Sequence, residues 1–423
     1  MRQPRSGPSV GSLLRHLGVE QGDAASSTDC VHAVAQGQFK PAHCRIVADR
    51  AAASGGSRVC VWTNGDGLRI RGPIRRFTFP LRRRVPAAIR LWPLKEHASM
   101  HDLTATLLHG DHNLFRSHVV EGLSRLQKTI PCRWLYDERG SDLFEEITRL
   151  EDYYPTRAET AILRARQLEL RQFVGLGAIL IEYGAGAGVK TELVLDALAE
   201  RQGYVPIDVA HEYLIQTAHR MERRFRSLWV QPIERDFMSA FEMPTSMPAG
   251  RRVGFFPGST IGNLDAAEAE AFLSQMLRHV GPGGAAIVGV DLLKQIETLL
   301  RAYDDSEGAT AQFNLNLLAR INRELGGDFH LDRFRHVARW NDAERAVEMH
   351  LLSVTDQWAS IGQRRFHFRE GETIHTESSR KYDCEGFGAL AERAGWRVSQ
   401  AWEDDKRLFC VFALTPRAAR SPR

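Results

Sequence analysis

The chain has 423 residues, of which 43% are hydrophobic and 26% are charged, and its formal net charge is +4. This length allows one large domain or two ordinary domains with a substantial core. No window approaches the roughly 18 apolar residues of a membrane span, and the N-terminus lacks the apolar stretch of a secretory signal. Six scattered cysteines without a C-x-x-C pair favour reduced thiols in a cytoplasmic protein over disulfides or a metal site.

Residues 1–99 differ in composition from the rest of the chain. Residues 1–100 carry 16 Lys and Arg against 6 Asp and Glu, whereas the remainder carries 40 against 46. The stretch "RGPIRRFTFPLRRRVPAAIR" could form a basic arm for nucleic acid or anionic surfaces, or part of an Arg-rich transit peptide. Its many small residues favour a poorly ordered extension or a start codon assigned too far upstream, because orderly sequence begins after Met100.

From residue 178 onward, short apolar segments alternate with longer helical ones, which predicts an α/β fold with a parallel sheet. The predicted strands are 178–184, 203–209, 228–234, 252–257 and 285–292. After the turn "FFPGSTIGNL", Asp265 and Glu268 form an acidic variant of a capping box and predict the start of a helix.

The alternation is interrupted over residues 295–376, where helices are followed by alternating segments such as "AVEMHLLSV" and "RRFHF". Helix and strand patterns of the α/β type resume with "EGFGALAERAG" and "RLFCVFAL". We therefore predict an α+β substrate-binding domain formed by residues 100–160 and the insertion 295–376. The core comprises 161–294 and 377–423, and a cleft between the two parts would enclose a substrate.

A glycine-rich loop, "IEYGAGAGVKT", follows the first predicted strand and contains Gly184, Gly186 and Gly188. Glycines here let the backbone approach a ligand and turn tightly into a helix. Asp208, at the end of the second strand, is suited to accept both ribose hydroxyls, although a helix N-cap is an alternative role.

Asp236 and Phe237 follow the third strand and suit an adenine, although Phe237 could equally be a core aromatic residue. The spacing G-x-G-x-G, with Lys190 two residues later, departs from the G-x-G-x-x-G typical of dinucleotide binding. The spacing favours S-adenosylmethionine (SAM), which has no phosphate, over a nicotinamide cofactor.

Four motifs together resemble the L-histidine Nα-methyltransferases of ergothioneine biosynthesis. They are "WLYDERGSDLFEEITRLEDYYPTRAETAIL", "EYGAGAGVKT", "FFPGSTIGN" and "HTESSRKY", and the resemblance covers roughly residues 105–415. It implies a Rossmann-like class I methyltransferase core with an inserted substrate-binding domain. It also implies a SAM-dependent enzyme that trimethylates the α-amine of histidine to hercynine, without a metal.

The resemblance also implies roles for individual residues. The implied cofactor-binding residues are Gly184, Lys190, Asp208, Asp236 and Phe237. Tyr136 is implied at the amine as the catalytic position, and the implied substrate-binding residues are Tyr154, Asn263, Tyr303, Met349, Glu377 and Ser379. Asn263 and Tyr303 would hold the carboxylate, and Glu377 and Ser379 the imidazole, with Met349 packed beside the ring.

The chemistry of imidazole supports the pairing of Glu377 with Ser379. A neutral ring donates from one nitrogen and accepts at the other, so a carboxylate and a hydroxyl match it. Arg380 and Lys381 add charge nearby and could shift selectivity, so a related enzyme for a thiol-substituted histidine is the alternative. A nucleotide-dependent oxidoreductase and a nucleic-acid-binding protein are further alternatives, and the prediction is a cytoplasmic monomer without nucleic acid or membrane partners.

Overall fold

Two units make up the chain, Met1–Glu96 and His97–Arg423. The computed structural model describes residues 58–62, 70–74, 100–186, 188–198 and 200–417. In the first unit, β1 (Arg58–Trp62) and β2 (Ile70–Ile74) pair as antiparallel strands. The rest of the extension predicted for residues 1–99 lies outside the described residues. Among the helices that are described, none is long and apolar enough to cross a membrane.

The second unit alternates helices and strands. Its helices are α1 (Met100–Leu123), α2 (Glu138–Ile147), α3 (Tyr154–Ala165), α4 (Gln167–Val174), α5 (Val189–Ala197), α6 (His211–Arg224), α7 (Ala266–Val280), α8 (Ile296–Tyr303), α9 (Ala309–Leu325) and α10 (Cys384–Arg393). Its strands are β3 (Lys128–Thr129), β4 (Ala178–Tyr183), β5 (Gly203–Asp208), β6 (Trp229–Val230), β7 (Ile233–Glu234), β8 (Arg251–Phe256), β9 (Ala285–Asp291), β10 (Phe334–Asn341), β11 (Ala346–Ser353), β12 (Gln357–Ile361), β13 (Arg364–Phe368), β14 (Thr373–Arg380), β15 (Trp396–Glu403) and β16 (Phe409–Pro416). The strand predicted over 228–234 is divided into β6 and β7.

An eight-stranded sheet forms the centre of this unit. Its order is β15-β16-β9-β8-β4-β5-β6, and β7 also pairs with β5. The strands from β4 to β9 run parallel, whereas β16 is antiparallel to both β9 and β15. Every residue of β4 and β9 is buried, as expected when helices cover both faces of a parallel sheet. The predicted α/β fold with a Rossmann-like core is confirmed.

Helices pack on both faces of this sheet. Leu163 of α3, Leu170 of α4 and Leu195 of α5 are buried in one layer, and Phe272 of α7 and Phe387 of α10 are buried in the other. At the start of α7, the predicted capping box is confirmed. The Asp265 carboxylate accepts from the Glu268 N–H at 2.8 Å, and the Glu268 carboxylate accepts from the Asp265 N–H at 2.8 Å.

A second sheet has four strands in the order β10-β11-β14-β3. Helices α8 and α9 pack on it, and Leu299 and Leu317 are buried in one core with Val347 and Leu351. All parts of this layer precede β4 or follow β9 in the chain. The division into domains remains a prediction, and its boundary after residue 376 falls inside β14.

Gly289, in the middle of β9, lies so close to α3 that a side chain has no room. A methyl group built on Gly289 would lie 2.0 Å from Oε1 of Glu159, which is fully buried. Because Glu159 is also held by Lys190 and Gly258, we expect Gly289→Ala to lower the free energy of unfolding by about 1–3 kcal/mol, the usual cost of overpacking. Chemical denaturation measures the loss.

Gly283→Ala is the matched control for this substitution. A methyl group built on Gly283 meets no atom of the described residues within 4 Å. Equal losses of stability in the two variants would contradict the predicted clash with Glu159.

Candidate active site

The order of the central sheet indicates where a ligand binds. β4 lies between β5 and β8. The strands that follow β4 in the chain are added first on one side of it, from β5 to β7, and then on the other side, from β8 onward, so the strand order reverses at β4. Open α/β sheets bind ligands outside the carboxyl ends of their strands at such a point. The glycine loop, Asp208 and the turn after β8 all lie at this edge.

The turn after β8 is held in an unusual backbone conformation by buried neighbours. Gly258 and Ser259 have φ values of +79° and +60°, and a short 3-10 helix follows over Thr260–Asn263. The Gly258 N–H donates to Glu159 at 2.9 Å, and the Asp291 N–H donates to the Ser259 hydroxyl at 2.9 Å. These bonds tie the turn to α3 and to the end of β9.

A cavity opens beneath this turn and extends to the four-stranded sheet. Aromatic and apolar side chains form its walls together with several polar groups. The lining residues are Tyr136, Phe144, Ile147, Tyr153, Gly258, Ser259, Thr260, Asn263, Ala302, Tyr303, Thr310, Phe313, Met349, Glu377 and Ser379. Six of the seven residues predicted at the amine and substrate therefore share one cavity.

Tyr154 is the exception, and its neighbour Tyr153 lines the cavity instead. The Tyr154 hydroxyl donates to both carboxylate oxygens of Asp291 at 2.9 Å and accepts from Lys294 at 2.7 Å. The two tyrosines diverge because Tyr153 precedes α3, whereas Tyr154 is its first residue. We therefore replace Tyr154 by Tyr153 in the candidate pocket.

An irregularity in β14 determines which side chains face the cavity. Met349 pairs with Glu377, but the next residue of β11, His350, pairs with His375, so Thr376 is left as an extra residue. Such a bulge re-aims the side chains that flank it. Glu377 points into the cavity, while His375 lies beside His350 and Ser378.

Glu377 is a buried carboxyl group with unused hydrogen-bonding capacity. It is 7% exposed, and its Oε2 has no hydrogen-bond partner among the described residues. Burial raises the pKa of Glu377 from 4.5 to about 7, although the nearby charge of Lys381 opposes the rise. A group of this kind at the end of an aromatic cavity indicates a ligand that supplies the missing hydrogen bond.

The raised pKa of Glu377 predicts how stability depends on pH in the absence of ligand. The folded state holds this proton more tightly than the unfolded state, so the contribution is fully present below pH 4.5 and is lost as the pH rises through about 7. The difference in pKa corresponds to about 3 kcal/mol. Relative to wild type, Glu377→Gln should therefore gain stability at pH 8.5 and little at pH 4.5, as measured by thermal unfolding. A stability difference independent of pH would contradict this interpretation.

Behind Tyr303 and Ser379 lies a buried network of charged and polar groups. The Lys381 ammonium is fully buried and lies 2.8 Å from the Tyr303 and Ser379 hydroxyl oxygens and 2.7 Å from Asp291. Asp291 also pairs with Lys294 at 2.6 Å, and burial lowers the pKa of Lys294 to about 8. Arg380, in contrast, turns away and donates to Leu264 and Glu344.

The glycine loop and Asp208 lie together at the carboxyl edge of the sheet. Gly184, Gly186 and Gly188 all have positive φ values, so the loop depends on glycine at these positions. The Asp208 carboxylate accepts from the Gly186 N–H at 3.4 Å and from the Ala210 N–H at 2.9 Å. The contact with Gly186 shows that the Asp208 carboxylate faces the loop. Burial raises the pKa of Asp208 above its ordinary value.

The other predicted cofactor residues already have protein partners. A methyl group built on Gly184 would lie 3.8 Å from Phe237, which packs edge-on against Phe256 and Phe272. Asp236 pairs with Arg133, and its second oxygen accepts from the Met238 N–H at 2.9 Å. Lys190 pairs with Glu159 at 2.6 Å, which brings it near the turn at Gly258.

Sequence reasoning missed several groups that hold the site in place. Glu159 and Asp291 are distant in sequence from the motifs they support, so no local pattern indicates their role. For Lys381, the sequence indicates only added charge. Because Lys381 follows Ser379 by two residues and directly succeeds β14, an extended backbone predicts that the two side chains share a face.

One group of three potential metal ligands occurs within the described residues. Glu348, His350 and His375 each offer an atom within 4.8 Å of the others. Glu348 and His350 alternate with Met349 along β11, and the bulge at Thr376 turns His375 to the same side, so the three lie on the face opposite Met349 and Glu377. His350 lies 3.0 Å from Glu348, and His375 lies 3.0 Å from the Ser378 hydroxyl.

Since this group faces away from the cavity, we predict that catalysis does not depend on a metal ion there. Incubation with EDTA followed by buffer exchange should leave turnover unchanged. A loss of activity that Zn²⁺ or Co²⁺ restores would contradict this prediction.

Comparison with known proteins identifies the family. The model for SAM-dependent, histidine-specific methyltransferases matches residues 115–416. The chain belongs to this family. Within this methyltransferase family, the histidine N-alpha-methyltransferase of Mycobacterium tuberculosis is 41% identical over 300 residues, which cover 70% of this chain and 92% of that protein.

Two further relatives of this methyltransferase are similar over much of the chain. The histidine N-alpha-methyltransferase of Mycolicibacterium smegmatis is 39% identical over 295 residues, covering 68% of this chain and 91% of that protein. Ergothioneine biosynthesis protein 1 of Neurospora crassa is 29% identical over 285 residues, covering 65% of this chain and 32% of that protein.

The residues of this methyltransferase fit a bound SAM molecule. The glycine loop offers open backbone at the carboxyl edge of the sheet, the Asp208 carboxylate faces the loop, and Phe237 lies beside Gly184. Lys190 lies beside Gly258, which lines the cavity. The loop and the cavity therefore adjoin, as a transfer between two bound molecules requires.

Proposed function

We propose that this chain transfers three methyl groups from SAM to the α-amine of L-histidine and forms hercynine, the first step of ergothioneine biosynthesis. The observation that carries the proposal is the buried carboxyl group of Glu377 at the end of an aromatic cavity. Membership in a histidine-specific methyltransferase family supports it, as do relatives named for this activity and for ergothioneine biosynthesis.

Glu377 and Ser379 would bind the imidazole ring, with Met349 packed beside it. The carboxylate accepts the ring N–H, and the hydroxyl donates to the other nitrogen. Binding would supply the hydrogen bond that Glu377 lacks. A substrate without a ring nitrogen would leave this carboxylate unpaired, which costs about 1–3 kcal/mol or more for a charged group.

Asn263 and Tyr303 would hold the carboxylate of the substrate, and Tyr136 and Tyr153 would surround its amine. Burial holds the pKa values of Tyr136 and Tyr153 well above their ordinary range. Both phenols therefore stay protonated at neutral pH, so Tyr136 orients the amine and is not its base. An aromatic ring also tolerates the loss of N–H groups as methylation proceeds, because it attracts the growing ammonium through its face.

When bound, SAM supplies an electrophilic methyl group for a direct displacement by nitrogen. The residues of the chain hold the amine neutral, in line and shielded from water, which accounts for most of the catalysis in such a transfer. A chain-terminal α-amine has a pKa of about 8 and that of a free amino acid is higher. The amine must therefore lose a proton to solvent before each transfer. Gly184, Lys190, Asp208, Asp236 and Phe237 would bind the cofactor, with Asp208 accepting from the ribose hydroxyls.

Residues 100–160 and 295–376 would form the substrate-binding part of the enzyme, and the remainder of 161–423 would form its methyltransferase core. The proposal also includes a monomeric, cytoplasmic enzyme. The free thiols Cys132, Cys384 and Cys410 support a reducing location. Size-exclusion chromatography with light scattering tests the monomer, and a dimer mass would contradict it.

Product analysis tests the proposed reaction. The purified chain is incubated with L-histidine and SAM carrying a deuterated methyl group, and the products are fragmented in a mass spectrometer. We expect three labelled methyl groups on the α-nitrogen and an unmodified ring. Methyl groups on the ring, or no transfer despite binding of S-adenosylhomocysteine, would contradict it.

A further inference from the structure

Lys381 is an unusual component of the site because its charge is completely buried. It follows Ser379 by two residues, directly after the end of β14. Its ammonium contacts three acceptors at 2.7 to 2.8 Å: Asp291, the Tyr303 hydroxyl and the Ser379 hydroxyl. An ammonium group has three N–H donors and no acceptor. All three donors of Lys381 are therefore committed, one to a counter-ion and two to hydroxyls that line the cavity.

The bonds from Lys381 limit the hydrogen bonds that the Tyr303 and Ser379 hydroxyls can make with a ligand. Each hydroxyl oxygen accepts from Lys381, and the two oxygens lie 2.7 Å apart, so one of them donates to the other. This mutual bond consumes one of the two hydroxyl protons and leaves one for a ligand. When a ligand offers two acceptors, the mutual bond can open and both hydroxyls can donate.

We propose that Lys381 is a positioning residue for substrate specificity that keeps the Tyr303 and Ser379 hydroxyls oriented as donors toward the cavity. The inference rests on the proposed function and deepens it. With one acceptor site of each oxygen occupied by Lys381, the hydroxyl protons point away from the ammonium, toward a substrate carboxylate and an unprotonated ring nitrogen. Hydrogen bonds from a cation also polarise each hydroxyl and strengthen it as a donor.

This arrangement makes the pocket select the neutral form of an imidazole. Glu377 accepts from the ring nitrogen that carries a proton, and Ser379 donates to the nitrogen that does not. An imidazolium would direct a second N–H toward the Ser379 oxygen, one lone pair of which already accepts from Lys381, and it would lose the hydrogen bond that the Ser379 hydroxyl donates to a neutral ring. The positive charge of Lys381 behind Ser379 adds to this discrimination.

Lys294 offers a matched control, because it is a second buried lysine on the same aspartate. It pairs with Asp291 at 2.6 Å and donates to Tyr154, whose hydroxyl does not line the cavity. Lys381→Met leaves Asp291 paired with Lys294 and Tyr154, and Lys294→Met leaves it paired with Lys381. A purely structural role of charge neutralisation predicts the same effect for both substitutions.

The experiment measures steady-state kinetics for histidine and the dissociation constant of S-adenosylhomocysteine in wild type, Lys381→Met and Lys294→Met. For Lys381→Met, we expect KM for histidine to rise about 10- to 100-fold, as for the loss of one or two hydrogen bonds, with kcat and the cofactor constant nearly unchanged. Lys294→Met should change KM by less than about threefold, because the Lys294 ammonium contacts no group that lines the cavity. Equal effects in the two variants, or a fall in kcat without a change in KM, would overturn the inference.

A second comparison does not depend on the folding of a lysine variant. In the wild-type enzyme, a histidine analogue whose acceptor nitrogen is replaced by C–H should bind about 10-fold or more weakly. Comparable binding of the analogue would also overturn the inference. Failure of the wild type to methylate histidine at all would instead contradict the proposed function.

Discussion

Replacing Glu377 by Gln is expected to lower kcat/KM for histidine by about 10- to 100-fold, mostly through KM, because a hydrogen bond to a charged group contributes about 1.5–3 kcal/mol. Gln keeps the size of the side chain and one acceptor, but it lacks the charge that strengthens the bond to the ring N–H. Its amide also adds donors that the ring does not need. Initial-rate kinetics with varied histidine measure the change.

Glu348→Gln is the matched control, because Glu348 lies on β11 beside Met349 but faces away from the cavity. It should leave both kinetic parameters within about twofold of wild type, as is usual away from a binding site. If the two substitutions reduce kcat/KM equally, or if Glu377→Gln reduces only kcat, the assignment of Glu377 to the imidazole is wrong.

Replacing Asp208 by Asn is expected to weaken binding of S-adenosylhomocysteine by about 10- to 100-fold. The carboxylate accepts from the glycine loop on one side and remains available to two ribose hydroxyls. An amide offers one acceptor oxygen instead of two and no charge, and its NH2 group cannot accept from the second hydroxyl. Isothermal titration calorimetry measures the dissociation constant directly.

Asp196→Asn provides the comparison for Asp208, since Asp196 is an exposed partner of Arg224 on a neighbouring helix. The Asp196→Asn substitution should leave the dissociation constant of S-adenosylhomocysteine unchanged. The KM for histidine at saturating SAM should also stay near its wild-type value in Asp208→Asn. A normal affinity for S-adenosylhomocysteine in Asp208→Asn would show that the ribose lies elsewhere.

The sequence predicts the central sheet well, because its strands are continuous apolar runs. "AILIEY" in β4 and "AAIVGVD" in β9 are buried at every position. Short apolar segments of this kind, bounded by turn residues, are typical of buried strands. The start of α7 is predicted equally well, because Asp265 and Glu268 form a local motif that requires no tertiary contact. Strand 228–234 is less regular, since Pro232 lacks the N–H that a continuous ladder needs.

The site was predicted less completely, and the reasons are physical. The choice between Tyr153 and Tyr154 depends on where α3 begins, and helix boundaries are poorly determined by sequence. The opposite directions of His375 and Glu377 depend on one extra residue in β14, which simple alternation does not reveal. The role of Glu159 depends on contacts with Lys190 and Gly258, which are far away in the chain.

The most direct test of the central claim is a competition among substrates. The purified chain is incubated with SAM and an equimolar panel of the common amino acids plus mercaptohistidine, and all products are measured by mass spectrometry. We expect trimethylated histidine to dominate and to be lost in Glu377→Ala. Preferential methylation of another amino acid, or of mercaptohistidine, would contradict the assignment of this pocket to histidine.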